Sequence, residues 1–168
     1  MKKLFFFAVI ATFAIGSINA QGQFRAGISG GIPIGDAGDL ATFAIAIDLG
    51  YILEISDDFD AGVTTGYSHS FGDESTIGGF SVSFDDVQFL PLAASGRFRA
   101  SDQFTIGGDI GYAFELGGNG NSSGGFYYSP RAQYSVSEAI DIVAAYRGVS
   151  LDGGSWDIVS MGIEFGID

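Results

Sequence analysis

Cysteine is absent from this 168-residue chain, which excludes a disulfide framework, a thiolate nucleophile and a lipidated cysteine at a processed N-terminus. Lysine occurs only at positions 2 and 3, and apart from the lone His69 the other basic residues are Arg25, Arg97, Arg99, Arg131 and Arg147. Charged residues make up 16% of the chain, against about 25% in a water-soluble domain, so its surface is poorly suited to water. The net charge of -13 argues against nucleic acid as a partner, because phosphates require Lys or Arg. No apolar run reaches the roughly 20 residues that a spanning helix needs. The longest, from Leu4 to about Ile15, lies directly behind the two lysines.

That run is followed by the small or polar Gly16, Ser17, Asn19 and Ala20, the order of a secretory signal peptide cut after Ala20. The expected organisation is a signal peptide over 1–20 and one domain over 21–168. The signal holds two lysines and no acid, so its removal takes the charge from -13 to -15.

Alternation dominates the rest. From Gln103 to Leu116, the apolar Phe104, Ile106, Ile110, Tyr112, Phe114 and Leu116 share one parity against Thr105, Gly107, Asp109, Gly111 and Glu115. Period two marks a strand with two unlike faces. The same reading places eight strands near 23–33, 43–53, 59–71, 87–100, 103–116, 126–136, 139–149 and 156–167. Three connectors are short and polar, around Ser56-Asp57-Asp58, Ser101-Asp102 and Ser137-Glu138. Four are longer or richer in glycine, around Asp36 to Thr42, Gly72 to Asp86, Gly117 to Gly125 and Ser150 to Ser155. Short turns at one end and longer loops at the other are the plan of a transmembrane barrel with periplasmic turns and extracellular loops. The expected fold is all-β: an eight-stranded antiparallel up-and-down transmembrane β-barrel.

A soluble barrel also alternates, with its apolar face inward, so the polar face must decide. It is rich in small residues, among them Gly27, Ser29, Gly62, Thr64, Gly66, Ser68, Gly107, Gly111, Ser160 and Gly162, which suit the narrow interior of eight strands. Phe24, Tyr51, Phe59, Phe98, Phe104, Tyr134 and Phe165 all have outward parity near the turn end, as an interfacial aromatic belt requires. Phe43, Phe71, Phe114, Phe126 and Tyr128 form a less regular second belt. Arg25, Asp48, Asp60, Arg97, Arg99, Asp109, Glu115, Arg131, Asp141, Arg147 and Glu164 have inward parity. A charge facing lipid at midplane costs about 2–4 kcal/mol, so an interior ion-pair network plugging the lumen is expected. If the Ser101-Asp102 hairpin sets Ala100 against Phe104, Arg97 lies diagonal to Asp109, and barrel closure brings Arg25 near Glu164. Two strands fit imperfectly. Val87 and Phe89 break parity before Pro91, which predicts a bulge, and Pro130 predicts a local break in its ladder. Ile106 is assigned to lipid and Gly107 to the lumen, so serine at 107 is expected to be tolerated.

The signal peptide, the hairpin series and the last strand Ile158-Val159-Ser160-Met161-Gly162-Ile163-Glu164-Phe165-Gly166-Ile167 together resemble the small outer-membrane β-barrel proteins, the OmpX-like or porin-family group. The resemblance covers the whole mature chain and implies a Gram-negative outer-membrane location. It also implies export through the Sec pathway, insertion by the barrel-assembly machinery, and contact with outer-membrane lipids and lipopolysaccharide.

Catalytic signals are thin. His69 stands between Ser68 and Ser70, but strand neighbours face opposite sides, so a Ser–His pair is not expected. Asp36, Asp39, Asp73, Glu74, Asp85, Asp86, Asp152 and Asp157 lack the order of a calcium loop, and the glycine-rich loop lacks a Gly-Lys-Ser/Thr ending. No catalytic, cofactor or metal site is expected. The functional expectation is a structural or surface-interaction barrel. The alternatives are a narrow porin-like channel for small solutes and, further off, a soluble lipocalin-like periplasmic binder.

Overall fold

The computed structural model describes residues 22–77, 80–117 and 124–167. The expected signal peptide and residues 118–123 of the glycine-rich loop lie outside the described residues. The described residues form ten strands: β1 (Gly22–Ile34), β2 (Ala41–Ser56), β3 (Phe59–Gly72), β4 (Glu74–Ile77), β5 (Phe80–Ser83), β6 (Val87–Arg99), β7 (Phe104–Leu116), β8 (Gly125–Ser137), β9 (Ile140–Leu151) and β10 (Gly154–Ile167). Eight of them close into one antiparallel barrel, β1-β2-β3-β6-β7-β8-β9-β10, with β10 paired back onto β1. Each barrel strand pairs with the next one along the chain, so the topology is up-and-down. β4 and β5 form a separate hairpin inside the β3–β6 loop. Four-residue strands carry too little alternation to stand out in the sequence from the expected connector Gly72 to Asp86. The Gly78-Gly79 dipeptide between two short β-forming runs was the available sign.

Turn chemistry explains the two ends. Asp57-Asp58 joins β2 to β3 and Glu138-Ala139 joins β8 to β9. Between β6 and β7 the Ser101 hydroxyl accepts the Phe104 N–H at 3.1 Å. At the opposite end, a 3-10 turn over Gly35–Asp39 folds back on the barrel mouth and buries Ala37 completely. The fourth connector there is shorter than expected. Gly153 takes φ +104°, a left-handed conformation that glycine adopts without a Cβ clash, so Asp152-Gly153 suffices to turn the chain from β9 to β10.

The side chains divide by parity. Ile28, Ile32, Ile47, Ile110 and Met161 are all more than half exposed on the outer wall, whereas Arg97 and Glu164 are each only 3% exposed inside. The arrangement inverts that of a water-soluble protein, which places its ions outside. Phe24, Tyr51, Phe59, Phe98, Phe104, Tyr134 and Phe165 face outward near the turn end. Phe24 stands opposite Tyr51, Phe59 opposite Phe98 and Phe104 opposite Tyr134, with Phe165 opposite Ile140.

Three local expectations meet the structure differently. No bulge occurs in β6, whose register to β3 and β7 keeps one offset throughout, although its ladder to β3 skips the two pairs at Leu90 and Pro91. Val87 and Phe89 are lumenal, and Phe89 is apolar because the loop end of the lumen is itself packed with apolar side chains. Pro130 does interrupt its ladder: β8 and β9 pair at Tyr128 with Gly148 and resume only at Arg131 with Ala145, since proline has no N–H to give. Serine at 107 is not tolerated by the geometry, because a Cβ there would stand 2.5 Å from the Gly96 carbonyl oxygen and 3.1 Å from the Arg97 Cα. That close backbone approach, rather than lumenal space, demands glycine.

Sidedness gives a direct test. Ile110→Arg, mid-strand on the outer wall, should lower the unfolding free energy in lipid vesicles by about 2–4 kcal/mol, and Phe104→Arg in the turn-end belt by about 0–1 kcal/mol. Equal losses, read from denaturant titrations of the refolded barrel, would contradict a lipid-facing wall.

Candidate functional site

The lumen holds the buried charges, and they are arranged in layers. At the turn end, Arg99 reaches Asp60 at 2.6 Å and Glu54 at 3.7 Å. They border a polar cavity of about 230 Å³ that also touches Arg25, Arg97, Gln133 and Asp141. Glu54 was missed at the sequence level although it shares the inward parity of Asp48.

Above this vestibule, Glu164 organises the barrel centre. Its carboxylate accepts Arg97 through both terminal guanidinium nitrogens at 2.6 and 3.2 Å, Arg131 at 2.5 Å and the Gln133 amide at 3.1 Å. Arg25 approaches the same carboxylate at 3.5 Å and donates to Asp141, which also accepts the Ser135 hydroxyl at 2.6 Å. One layer further, Arg147 binds Asp48 bidentately at 2.9 and 2.5 Å and donates to Ser29 and Ser160, each at 3.2 Å. A bidentate fork fixes both distance and plane, so these pairs hold facing strands in register across the lumen.

The pairing differs from expectation at one position. The hairpin sets the Ala100 N–H on the Phe104 carbonyl at 2.8 Å and Arg97 opposite Gly107, so Arg97 lies diagonal to Asp109. Its guanidinium nevertheless crosses the lumen to Glu164, and Asp109 has Arg131 as its nearest cation at 3.6 Å. In so narrow a barrel, crossing the interior is as short as reaching along the wall, which strand register alone does not reveal. Glu115 makes no ion pair among the described residues. It lies opposite Phe89, near the end where the lumen turns apolar.

That apolar end is a second closure, which strand parity does not reveal. Phe89, Tyr127, Val149, Trp156 and Ile158 pack together under Ala37. The Trp156 indole N–H donates to the buried Ser70 hydroxyl at 3.1 Å. Small cavities of about 10 Å³ each lie among the ion-pair layers and against this cap, each with room for at most about one water.

His69 faces outward, away from Ser68 and Ser70. Its Nε2 lies 3.0 Å from Asp86 and its Nδ1 3.1 Å from the Tyr67 hydroxyl, while its ring packs against Phe71 at 4.4 Å. Among the described residues no group of three or more His, Asp or Glu is placed to hold a metal ion.

An apolar outer wall, closed hydrogen bonding and a charged interior define an integral outer-membrane β-barrel. The chain belongs to the outer membrane protein beta-barrel domain family, whose model matches residues 5–167. Solved structures sharing the fold include Ail, the attachment invasion locus protein of Yersinia pestis, at 18% identity and TM-score 0.59, covering 89% of this chain and 100% of that one. The N-terminal barrel domain of Pseudomonas aeruginosa OprF follows at 17% and 0.55, covering 89% and 100%, and Neisserial surface protein A at 14% and 0.54, covering 88% and 98%. Among curated proteins none matches.

Removing one partner from a buried ionic cluster leaves the other charge uncompensated, which costs about 3–5 kcal/mol. Glu164→Gln should destabilise the barrel by that amount in guanidinium titrations in micelles. Glu115→Gln should stay within about 0.5 kcal/mol, the range of substitutions that break nothing.

Proposed function

We propose that this chain is a non-enzymatic outer-membrane barrel with a closed lumen, acting through its wall and its extracellular loops in a structural or surface-interaction role. The observation that carries this reading is the double closure: an ion-pair layer around Glu164 followed by the cap of Phe89 and Trp156. A lumen blocked twice is suited to rigidity rather than to passage. In this reading the turn end faces the periplasm, export runs through the Sec pathway, the barrel-assembly machinery inserts the strands, and lipids with lipopolysaccharide cover the wall.

The loops present Asp36, Asp39, Asp73, Glu74, Asp85 and Asp86. That surface disfavours polyanionic partners, so any likeness to Ail, one structure of which holds the heparin analogue sucrose octasulfate, is not carried over to ligand. His69 serves here as an interfacial polar residue, and His69→Ala is expected to leave the cellular phenotype intact.

A narrow porin-like channel is the second reading, favoured by the polar vestibule at the turn end. It requires the Arg97–Glu164 pair and the Phe89–Trp156 contact to part together. Planar-bilayer recording of the purified barrel separates the two. Closed-lumen behaviour is an absence of unitary conductance steps at moderate voltage, and steady stepwise current carried by small ions would establish the channel instead.

A further inference from the structure

We propose that the connector between β1 and β2 is a lid over the loop-end mouth of the barrel, latched by the base of the β4–β5 hairpin and able to open while the barrel stays closed. The lid is the 3-10 turn Gly35–Asp39 with Leu40 behind it. Its floor is the apolar cap, in which Phe89 and Trp156 are buried, and the Ala37 methyl group joins that cluster.

The anchorage of this turn is slight. Ala37 is fully buried, whereas Gly35, Asp36, Gly38, Asp39 and Leu40 are all exposed. The turn also lies outside the barrel ladder, whose last pairs at this end are Gly31 with Ala44 and Ile34 with Asp157. Swinging it away therefore breaks no barrel pairing. Gly35 enters the turn at φ +60° with open space where a Cβ would stand, which makes it the natural hinge. Segments with few buried apolar contacts and exposed backbone open locally, well short of global unfolding.

The latch is a short chain of backbone hydrogen bonds. The Leu40 carbonyl accepts the Asp73 N–H at 2.9 Å, and the Asp73 carbonyl accepts the Phe84 N–H at 2.9 Å. Asp73 and Phe84 flank the β4–β5 hairpin, so the base of the hairpin and the lid share one bonded path. Displacing the hairpin draws Asp73 from Leu40 and leaves the lid held mainly by one methyl group. Opening then presents Trp156 and Phe89 to the medium at the loop end. The Glu164 layer beneath is untouched, so the motion is separate from conduction and stands or falls apart from the closed-lumen reading.

Trp156 is the one tryptophan of the chain, and its indole N–H is held by Ser70. Deuterium exchange at that proton, followed as a single NMR cross-peak of the refolded barrel in micelles, reports the opening. A Cβ at 154 would stand 3.0 Å from Asp36 Oδ2 and 4.0 Å from Asp36 Cγ, near disulfide range, and the chain has no other cysteine. In the double variant Asp36→Cys, Gly154→Cys, oxidation should slow indole exchange about tenfold or more and a reducing agent should restore it. Ala37→Asp cannot keep an unpaired carboxylate buried, and Asp73→Pro lacks the latching N–H. Each should speed exchange about tenfold while the heat-shifted gel mobility of the folded barrel is kept. Equal exchange in the oxidised and reduced forms, or exchange unmoved by Ala37→Asp, overturns the lid. Exchange unmoved by Asp73→Pro overturns its coupling to the hairpin.

Discussion

Closure of the backbone hydrogen-bond ladder is the constraint on which the rest of this structure depends. Within hydrocarbon an unpaired N–H or C=O has no water to turn to, and only helices and closed barrels escape that cost. With no apolar run long enough for a spanning helix, the strands must close, and the pairing of β1 with β10 completes the ring. Eight strands make a tube that side chains just fill. Narrowness then follows, and narrowness dictates the interior.

Two consequences sit in tension inside that tube. Ionic side chains cannot face lipid, so they turn inward, where they are nearly dehydrated and must find partners of opposite sign. Glu164 answers Arg97, Arg131 and Arg25 at once, and Arg147 is matched by Asp48. Such pairs give little net stability against an apolar core of equal shape, but the loss of one member is severe. Their value is geometric, because Arg97–Glu164 and Arg147–Asp48 join strands that lie well apart around the ring. The loop end uses the opposite solution, packing Phe89, Trp156 and Val149 against one another. An acid-and-arginine middle and an aromatic cap close the same tube by different physics, leaving the turn-end vestibule as the sizeable internal space among the described residues.

Much of this was legible in the sequence because a strand's period is two. Parity alone assigned Ile110 and Met161 to the wall and Arg97 and Glu164 to the interior, and it placed all seven turn-end aromatics outward. Proline's missing N–H announced the interruption at Pro130. Parity failed where it was asked to do more. Phe89 read as a displaced outward residue, because nothing local distinguishes a lumen that turns apolar from a strand that bulges. Gly107 read as a tolerant lumenal position, because the approach of the Gly96 carbonyl is a property of the neighbouring strand.

The sequence by itself determined the barrel, its sidedness and the set of charged residues inside it, since alternation, strand length and the cost of a charge in lipid are all local or additive. Which arginine meets which carboxylate, where the lumen is sealed, and where a cavity survives were decided only by tertiary structure. Those contacts span the tube between strands distant in sequence, as Arg97 does in reaching Glu164. The distances across it are fixed by closure and stagger of the whole ring rather than by any segment of the chain.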